Sequence, residues 1–381
     1  MRILFVSKDL PYATDGPAGR EAWALSGQLV ECGHEVTLLT AGEMALGVET
    51  AEHRGRTLVH LQYPSAAWMP VLGRTADRLT FEVAAFGWLR THAAAYDVVH
   101  LHGGSGYLFA AVRPKASAPL VISVGDDRAP RFSRAAYAHA DQLIVASEAR
   151  EAQLAARCAT PAAVVAQGVH VDVHRAGQVP LHGQLLAIAD LSKHGDHGGI
   201  EVLLDAMAQV DERLELTVIG AGPRRAKLER RIRARGLHLR VRFVGAQDVG
   251  ATRHYLARAF ATVLPEADGA RSAGVLEAGA AGRPVVAPVL PDGTGYLAHG
   301  SNGLSYPAGD VGALAVVLDH LYAAPDLAAR LGQAGRAGVR ARHDLTQVAE
   351  QYVELYRRYS KPPSPSTSIK PSAARRALAR T

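Results

Sequence analysis

Cysteine is nearly absent from this chain of 381 residues, whose two cysteines are Cys32 and Cys158. Two cysteines cannot form the disulfide framework of a small secreted domain, and such scarcity is typical of a protein in the reducing cytoplasm. No apolar run reaches the ~18–20 residues that a membrane-spanning helix needs. The first residues, MRILFVS, lack the apolar region and cleavage site of a signal peptide. The sequence therefore predicts a soluble, cytoplasmic protein without a transmembrane segment.

Acidic residues are missing from the tail, residues 361–381, which is rich in proline and serine and is predicted to be disordered. Five basic residues there carry most of the formal net charge of +6. They are Lys361, Lys370, Arg375, Arg376 and Arg380. The rest of the chain is close to neutral, and its one basic run, residues 223–236, reads as a solvated helix face. Without zinc-finger spacing or stacking aromatics, no nucleic-acid partner is expected.

The dinucleotide-binding pattern G-x-G-x-x-G is also missing after the first predicted strand. The loop there contains Asp15, Gly16, Pro17 and Gly19, which argues against a standard dinucleotide fold.

What the chain does contain is a repeated alternation of short apolar runs and helical segments. Strand candidates are residues 3–7, 35–40, 57–62, 98–101, 120–124 and 143–146, and then 184–189, 214–220, 240–245, 262–264 and 285–287. Helices are expected between them, at 18–32 with a C-cap at Gly33-His34, at 76–94, and at 310–322, 325–343 and 345–359. This rhythm indicates parallel sheets with helices on both faces.

The rhythm restarts after residue 168, and the length is too great for one ordinary core. Two doubly wound, Rossmann-like domains that face a cleft are therefore predicted, with ligands at the carboxyl ends of the strands. The expected limits are 1–170 for an acceptor-binding domain, 171–183 for a linker and 184–343 for a nucleotide-sugar-binding domain. A C-terminal helix, 344–360, is expected to cross back to the first domain.

Residues 265–284, PEADGARSAGVLEAGAAGRP, are the most informative segment. An apolar helix there runs into a Gly-Arg-Pro turn and a buried strand. The helix N-terminus, expected at residues 269–274, presents free backbone N–H groups and a positive dipole end, which suit a phosphate. Glu277, about two turns further on, could hold the hydroxyls of a ribose. Phosphate and ribose together indicate a nucleotide, and hence a nucleotide-sugar enzyme.

Seven strings, in the correct order over nearly all of residues 1–360, resemble motifs of the GT-B glycosyltransferases of family GT4, a retaining family. They are DGPAGRE, LVECGHEVTLLT, AYDVVHLHGG, ADQLIVASEA, QGVHVDVH, LELTVIGAGPRRAKLE and LEAGAAGRPVVAP. The resemblance implies a GT-B fold and sugar transfer from a nucleotide diphosphate without a metal or other cofactor. Fold alone does not fix function, so the site residues are considered separately.

The resemblance assigns donor binding to Glu277, which matches the second carboxylate of an E-x7-E motif, and to Ser272 and Ala273 at the phosphate position. Gly222, in the turn after the second strand of the second half, joins the donor set. Small residues at 16–19 let backbone approach the diphosphate, so that Gly16 and Gly19 are donor-binding candidates and Pro17 faces the acceptor. The alternatives are a surface glutamate and a simple turn that starts a helix.

Several family positions are altered in this chain. The first carboxylate of E-x7-E falls at Gly269, although Glu266 and Asp268 lie nearby. An arginine that binds the diphosphate is replaced by Asp190, and the matching lysine aligns with Gly198. The histidine before Asp126 is replaced by Gly125.

Loss of both cations could cost on the order of several kcal/mol of barrier, since a single donor to a developing charge contributes about 3–4 kcal/mol. Arg271 and Lys193 are the preferred replacements, and Arg224 and His197 are further candidates. An ordinary surface cation is the alternative for each. Asp126, Asp268 and Arg271 form the predicted catalytic set.

His102 and Asp126 complete the predicted acceptor site, although a buried packing histidine is an alternative for His102. His100 and His102 share one strand face, but a metal site would need a third ligand that the sequence does not offer. The favoured function is a retaining transferase that acts on a small-molecule acceptor in bacterial specialised-metabolite (antibiotic) or glycoconjugate biosynthesis. A catalytically impaired partner of another glycosyltransferase is the alternative, and a GT-B epimerase or phosphorylase is disfavoured.

Overall fold

The computed structural model describes residues 1–8, 17–42, 47–63, 73–113, 118–125, 132–171, 180–189, 191, 199–266, 273–290 and 295–360, without the side chains of residues 17, 18, 73–75 and 132. The chain divides into two compact units. The first comprises Met1–Val145, Leu154–Ala163 and the chain from Tyr352 onward, and the second Ala146–Gln153 and Val164–Gln351. The domain limits expected from the sequence stay predictions, and the tail 361–381 lies outside the described residues.

The first unit is built on a sheet with the order β3-β4-β2-β1-β5-β6-β7-β8. In chain order these strands are β1 (Arg2–Val6), β2 (Glu35–Ala41), β3 (Gly47–His53), β4 (Arg56–Gln62), β5 (Val98–Leu101), β6 (Leu120–Ser123), β7 (Gln142–Val145) and β8 (Ala162–Val164). The pairs from β4 to β7 are parallel, and β3 pairs with β4 as an antiparallel edge strand.

Four helices accompany these strands in the described part of the chain. They are α1 (Pro17–Glu31), α2 (Gly73–His92), α3 (Tyr107–Ala111) and α4 (Phe132–Ala138), with a 3-10 turn at Ala93–Ala95. The next helix, α5 (Glu148–Ala155), belongs mostly to the second unit. Helix α1 starts with proline, which suits the first helical position. It ends at the predicted C-cap: Gly33 has φ +82°, and the amide of His34 donates to the Leu29 carbonyl.

The second unit contains a sheet whose neighbouring strands are parallel throughout, with the order β11-β10-β9-β12-β13-β14. The strands are β9 (Gln184–Ile188), β10 (Glu215–Ile219), β11 (Val241–Gly245), β12 (Ala261–Val263), β13 (Val285–Pro288) and β14 (Gly303–Tyr306). The helices are α6 (Gly199–Met207), α7 (Arg225–Ala234), α8 (Val249–Arg258), α9 (Ala273–Ala280), α10 (Val311–Ala323), α11 (Pro325–Arg342) and α12 (Leu345–Tyr359).

The eleven predicted strands are all present, within about two residues at each end. Strands β3, β8 and β14 were not predicted. Two α/β units with parallel sheets confirm the predicted fold class. The division between the units falls within α12, whose last residues, 352–359, belong to the first unit.

A buried polar network holds this last part of α12 against the first sheet. His100, on β5, is fully buried, and its Nδ1 and Nε2 atoms lie 2.7 Å from the Tyr356 hydroxyl and 2.8 Å from the Ser123 hydroxyl. Tyr352, one turn before Tyr356, also hydrogen-bonds to Ser123. Burial holds the pKa of His100 well below its ordinary value and raises the pKa of both tyrosines. The imidazole is therefore neutral, with one ring nitrogen donating and the other accepting.

Close helix packing in the second unit depends on glycine. In α11, a Cβ at Gly332 would collide with the backbone carbonyl of Gly282, just after α9. A Cβ at Gly279, in α9, would lie 2.8 Å from the Val339 side chain of α11. The two helices therefore approach each other more closely than larger residues would allow.

Among the described residues, no single helix is long and apolar enough to span a membrane. Only α10 and α11 taken together reach the required length and composition, and they are bent by 98° at the break between them.

We expect Gly332→Ala to lower the free energy of unfolding by about 1–3 kcal/mol, because a rigid backbone carbonyl must move to admit the methyl group. Gly338→Ala in the same helix is the matched control. Its added Cβ would meet only the flexible Arg342 side chain, at 3.5 Å, and it should gain about 1 kcal/mol of helix propensity. Urea unfolding of the full chain measures both variants. Equal midpoints for the two would contradict the proposed close contact.

We expect His100→Gln to be destabilising at pH 7.5 but progressively less so in acid. Below pH ~6.5 the unfolded histidine binds a proton that the buried native imidazole does not, so the wild type loses stability as the pH falls. The difference in the free energy of unfolding between wild type and variant should narrow by up to about 1.4 kcal/mol per pH unit below 6.5. Urea unfolding between pH 7.5 and 5.0 measures it, with exposed His254→Gln as control. A gap independent of pH would be inconsistent with a neutral buried His100.

Candidate functional site

The carboxyl edge of the second sheet brings two predicted donor segments onto the same side. The turn 220–223 follows β10, and α9 follows β12, while β9 lies between these two strands. Parallel strands end at the same edge, and two interstrand spacings separate β10 from β12 by about 10 Å. This edge, where the strand order reverses beside β9, is where open α/β sheets bind ligands.

The turn after β10 can exist only with glycine at two of its positions. Gly220 and Gly222 have φ values of +156° and +155°, which disfavour other residues. A Cβ at Gly220 would collide with the carbonyl of Ala189, just after β9. The turn therefore lies against the end of β9, and Gly222 is half-buried at the ligand edge of the sheet.

Helix α9 is described from Ala273, within the range of residues 269–274 expected for its N-terminus. Glu277 lies one turn after Ala273, and it is half-buried. The first turn of a helix has free backbone N–H groups, so a phosphate at Ala273 and a hydroxyl at Glu277 would lie along the same helix face within one turn. This arrangement has the chemistry that a nucleotide requires.

Arg253, on α8, is a cation near Glu277 that the sequence did not single out. Burial lowers the pKa of its guanidinium, and the negative charge of Glu277 opposes that shift. The sequence offered one weak indication of Arg253, its position five residues after Asp248. Asp248 caps α8, because its side chain accepts a 2.7 Å hydrogen bond from the Ala251 amide.

Arg224, a further cation candidate for the diphosphate, is engaged elsewhere. Its Nη2 lies 2.5 Å from Glu201 Oε2 on α6, and both side chains are 18% exposed. An ion pair of this kind loses its favourable energy if one partner is removed, so release of Arg224 to a ligand would leave a half-buried carboxylate uncompensated.

The carboxyl edge of the first sheet contains His102, directly after β5. It is 4% exposed, and its amide donates to the Val6 carbonyl. Its Nε2 lies 3.8 Å from Glu21 Oε2 on α1. Within the part of the chain that the structure describes, no group hydrogen-bonds to the Nδ1 atom of His102. The predicted acceptor residue is thus a buried histidine beside a carboxylate that the sequence did not identify.

The glycine-rich loop after His102 is closed to anions. Glu82, on α2, accepts from the amides of Gly106 and Leu108 at 2.7 and 2.9 Å, and thus occupies the amides where an anion would bind. Arg78 donates to the Gly104 carbonyl at 2.6 Å. Burial raises the pKa of Glu82 although these hydrogen bonds act in the opposite direction. The loop is fixed from α2, and it supports the position of His102 without offering a phosphate site.

Lys8 forms a second link between α2 and this edge. It follows β1, and its Nζ lies 2.7 Å from Asp77 Oδ2, a carboxylate that is 9% exposed. Sequence reasoning missed this residue, although a lysine at the carboxyl end of the first strand was a visible signal.

Eight calls concern six residues that lie outside the described part of the chain: Gly16, Asp126, Lys193, Asp268, Arg271 and Ser272. Their roles stay predictions, as does the dual donor and catalytic role of Arg271. Pro17 and Gly19 are not in the loop to which they were assigned, because α1 already begins at Pro17; Gly19 is buried in its first turn. Helix boundaries are commonly misplaced by this amount.

Metal binding finds no support in the histidine pair. Both ring nitrogens of His100 are engaged by hydroxyl groups. Among the described residues, no three histidine, cysteine, aspartate or glutamate side chains come together as a metal-binding group. Independence of metals and other cofactors stays a prediction.

Two family models match the chain in adjacent segments. Residues 18–173 match the model described as Glycosyltransferase Family 4, and residues 182–324 match the model described as Glycosyl transferases group 1. Together the two matches cover most of the chain.

Curated relatives agree with these models. Phosphatidyl-myo-inositol mannosyltransferase of Mycobacterium leprae is 36% identical over 42% of this chain, and the lipopolysaccharide core biosynthesis glycosyltransferase LpsE of Rhizobium meliloti is 26% identical over 44%. The matches span 42% and 48% of these relatives, less than two thirds of their lengths. Glycogen synthase of Mycobacterium tuberculosis is 26% identical over 97% of this chain and 98% of its own.

Solved structures share the fold. Sucrose-phosphate synthase from Thermosynechococcus elongatus is 22% identical, with a TM-score of 0.75 over 94% of this chain and 98% of that one. Anabaena HepE in complex with UDP-glucose is 19% identical, with a TM-score of 0.70 over 94% of this chain and 100% of its own. The two matched family models show that the chain belongs to the GT4-type, group 1 glycosyltransferases. The two parallel-sheet units and these structural likenesses show that it has the GT-B fold.

Proposed function

We propose that this protein transfers a sugar from a nucleotide diphosphate to a small-molecule acceptor with retention of anomeric configuration. The observation that carries the proposal is the position of Glu277. It lies one turn from the N-terminus of α9, at the ligand edge of the second sheet. A carboxylate and free amides on one helix turn match a ribose and a phosphate.

The donor is a nucleotide sugar, bound by the second unit. Glu277 accepts hydrogen bonds from the ribose hydroxyls, while Ala273, Ser272 and the turn at Gly222 lie along the diphosphate. HepE, a structural neighbour, is known in complex with UDP-glucose, so uridine nucleotides are the first donors to test. Gly19, at the start of α1, stays a predicted donor-binding residue.

Retention follows a route in which the acceptor attacks from the face that the diphosphate leaves. The acceptor oxygen forms the new bond to the anomeric carbon while the carbon–oxygen bond to the diphosphate breaks. The departing diphosphate takes the acceptor proton. Its developing negative charge must be stabilised by cations. Arg271 and Lys193 are the proposed cations, Asp268 holds hydroxyls of the donor sugar, and Asp126 orients the reacting groups.

The acceptor binds to the first unit near His102, Asp126 and Pro17. The curated relatives are named for phosphatidyl-myo-inositol, lipopolysaccharide core and glycogen, which differ widely in size. The departures from the family pattern at Gly269 and Asp190 favour an unusual donor sugar. On the alanine- and arginine-rich composition, we place the acceptor among small hydroxylated molecules of bacterial specialised-metabolite or glycoconjugate biosynthesis.

Those same departures favour a second candidate, a catalytically impaired protein that assists another glycosyltransferase. Incubation of the pure protein with nucleotide sugars and acceptors, followed by measurement of nucleotide diphosphate release, separates the two. Sustained release that is lost in Arg271→Ala or Lys193→Ala excludes the second candidate. The anomeric configuration of the product, read by NMR, tests retention.

We expect the protein to bind ribonucleoside diphosphates about 10-fold or more tightly than their 2′-deoxy counterparts. A hydrogen bond to a charged carboxylate contributes about 1.5–3 kcal/mol, and the deoxy ligands lack one such bond to Glu277. Calorimetric titration with UDP and 2′-deoxy-UDP measures the ratio, and the guanosine and adenosine pairs cover the other bases. Glu277→Ala should abolish the discrimination, because neither ligand can then use the bond.

Glu212→Ala is the control, because Glu212 is an exposed glutamate of the same unit, before β10. It should retain the wild-type ratio. The ribose role of Glu277 is wrong if Glu277→Ala keeps the preference for UDP over 2′-deoxy-UDP. If none of the nucleotides binds the wild type, nucleotide-sugar transfer itself is wrong.

A further inference from the structure

Glu21 lies at the ligand edge of the first unit, and its side chain is partly exposed to solvent. Its side chain is 29% exposed, whereas that of His102 beside it is 5% exposed. It lies on α1, the helix that follows β1, and β1 pairs with β5, the strand that His102 follows. The carboxylate therefore lies at the switch point of the sheet, where β1 separates β2 from β5.

The contact between Glu21 and His102 is too long to explain Glu21 as one half of a structural ion pair. The 3.8 Å between Nε2 and Oε2 is longer than a hydrogen bond, so the pair does not satisfy the carboxylate. An imidazole nitrogen that faces a carboxylate favours the tautomer with its proton on that nitrogen. His102 thus presents Nε2–H to Glu21 and leaves Nδ1, which lacks a hydrogen-bond partner in the described part of the chain, as an acceptor.

The groups behind this pair fix its position. Tyr352 lies close enough for the charge of Glu21 to raise its pKa further, in addition to the larger effect of burial. The His100 ring lies 5.9 Å from that of His102 and 5.6 Å from that of Tyr352. These neighbours carry hydroxyl groups and neutral imidazole, not fixed positive charges. Glu21 is therefore a half-exposed carboxylate whose neighbours on the inner side are uncharged and rigidly held.

We propose that Glu21 binds the acceptor, through a hydrogen bond that an acceptor hydroxyl or ammonium group donates to its carboxylate, and that His102 positions Glu21 for this contact. The inference rests on the proposed transferase function and names the chemistry of its acceptor site. A carboxylate accepts hydrogen bonds and repels anions. The acceptor is therefore a neutral polyol or an amine at this end, and not a phosphorylated or carboxylated group.

The experiment uses the full chain, UDP-glucose or whichever nucleotide sugar gives turnover, and three acceptors that share one hexose ring: glucose, glucosamine and glucose 6-phosphate. Glu21→Gln should raise the KM for the preferred acceptor about 10- to 100-fold, as expected for loss of a charge-assisted hydrogen bond. The donor KM and the rate of donor hydrolysis without acceptor should stay within about twofold. The preference for neutral or cationic acceptors over glucose 6-phosphate should shrink in the same variant.

The change in KM across the three acceptors identifies which acceptor group donates the hydrogen bond to Glu21. A loss confined to glucosamine indicates an ammonium partner, and an equal loss with glucose and glucosamine indicates a hydroxyl partner. Glu31→Gln, at the exposed end of the same helix, is the matched control and should leave all constants unchanged.

The positioning role of His102 has its own readout. His102→Gln should raise the acceptor KM without changing the donor KM, and combined with Glu21→Gln it should add little, because both changes remove one interaction. If the two effects are additive, His102 acts on packing alone and the positioning role is wrong. Glu21→Asp, which keeps the charge but shortens the side chain, serves if Glu21→Gln fails to fold, and it should fall between wild type and Gln.

The outcomes separate this inference from the proposed function. Turnover with an unchanged acceptor KM in Glu21→Gln overturns the inference and leaves transfer intact. Failure of the wild type to hydrolyse or transfer from any nucleotide sugar overturns the proposed function, and the acceptor site is then lost with it.

Discussion

Parallel strand pairing is the constraint on which the rest of this molecule depends. Parallel neighbours require a crossover between them, so every strand end that leads into a helix N-terminus falls on the same edge of the sheet. In the second unit, this edge brings together the turn at Gly222 and the start of α9, two strands apart. In the first unit it brings Glu21 beside His102. The candidate sites therefore follow from topology before any single side chain is considered.

Buried polarity stabilises the first unit in a way that apolar packing alone would not. Five groups that carry hydrogen-bonding atoms, His100, His102, Ser123, Tyr352 and Tyr356, lie under the ligand edge. Each would cost free energy if buried without a partner, and the neutral state of His100 lets two hydroxyl groups share one ring. Because the bonds are directional, they fix the residues beneath Glu21 in one arrangement, which is what a binding residue needs.

The sequence predicted the repeated elements well because each carries a strong local signal. Buried strands read as apolar runs, and Gly33 marks the end of α1. Strand β3 was missed because all seven of its residues are exposed on a sheet edge and show no alternation. Strand β14 was missed because it is short and opens with Gly303, where a Cβ would collide with the Val285 carbonyl. From the sequence alone, Gly303 predicts a turn, and only its close approach to the neighbouring strand explains why glycine is needed there.

The sites were predictable only where a residue follows a strand closely. Glu277 and Gly222 were selected as candidates because their motifs follow or precede predicted strands. Glu21 and the tyrosines of α12 were not, since their partners are distant in sequence: His100 and Tyr356 are 256 residues apart. No periodicity or spacing links such residues, and only the folded chain makes them neighbours. The slower pairing of distant residues also means that these contacts depend on the sheet already being formed.

In the proposed function, donor binding and sugar transfer draw on different residues, and these positions depart from the family pattern unequally. Glu277, which would hold the nucleoside, is kept, while Asp190 and Gly269 stand where the family has a cation and a carboxylate at the diphosphate and sugar. Contacts to the nucleoside act equally on substrate and transition state, so they favour binding without accelerating transfer. Only groups that stabilise the leaving diphosphate raise the rate. A chain altered in this way can bind nucleotides strongly and still depend wholly on its replacement cations for turnover, which is why binding and turnover must be measured separately.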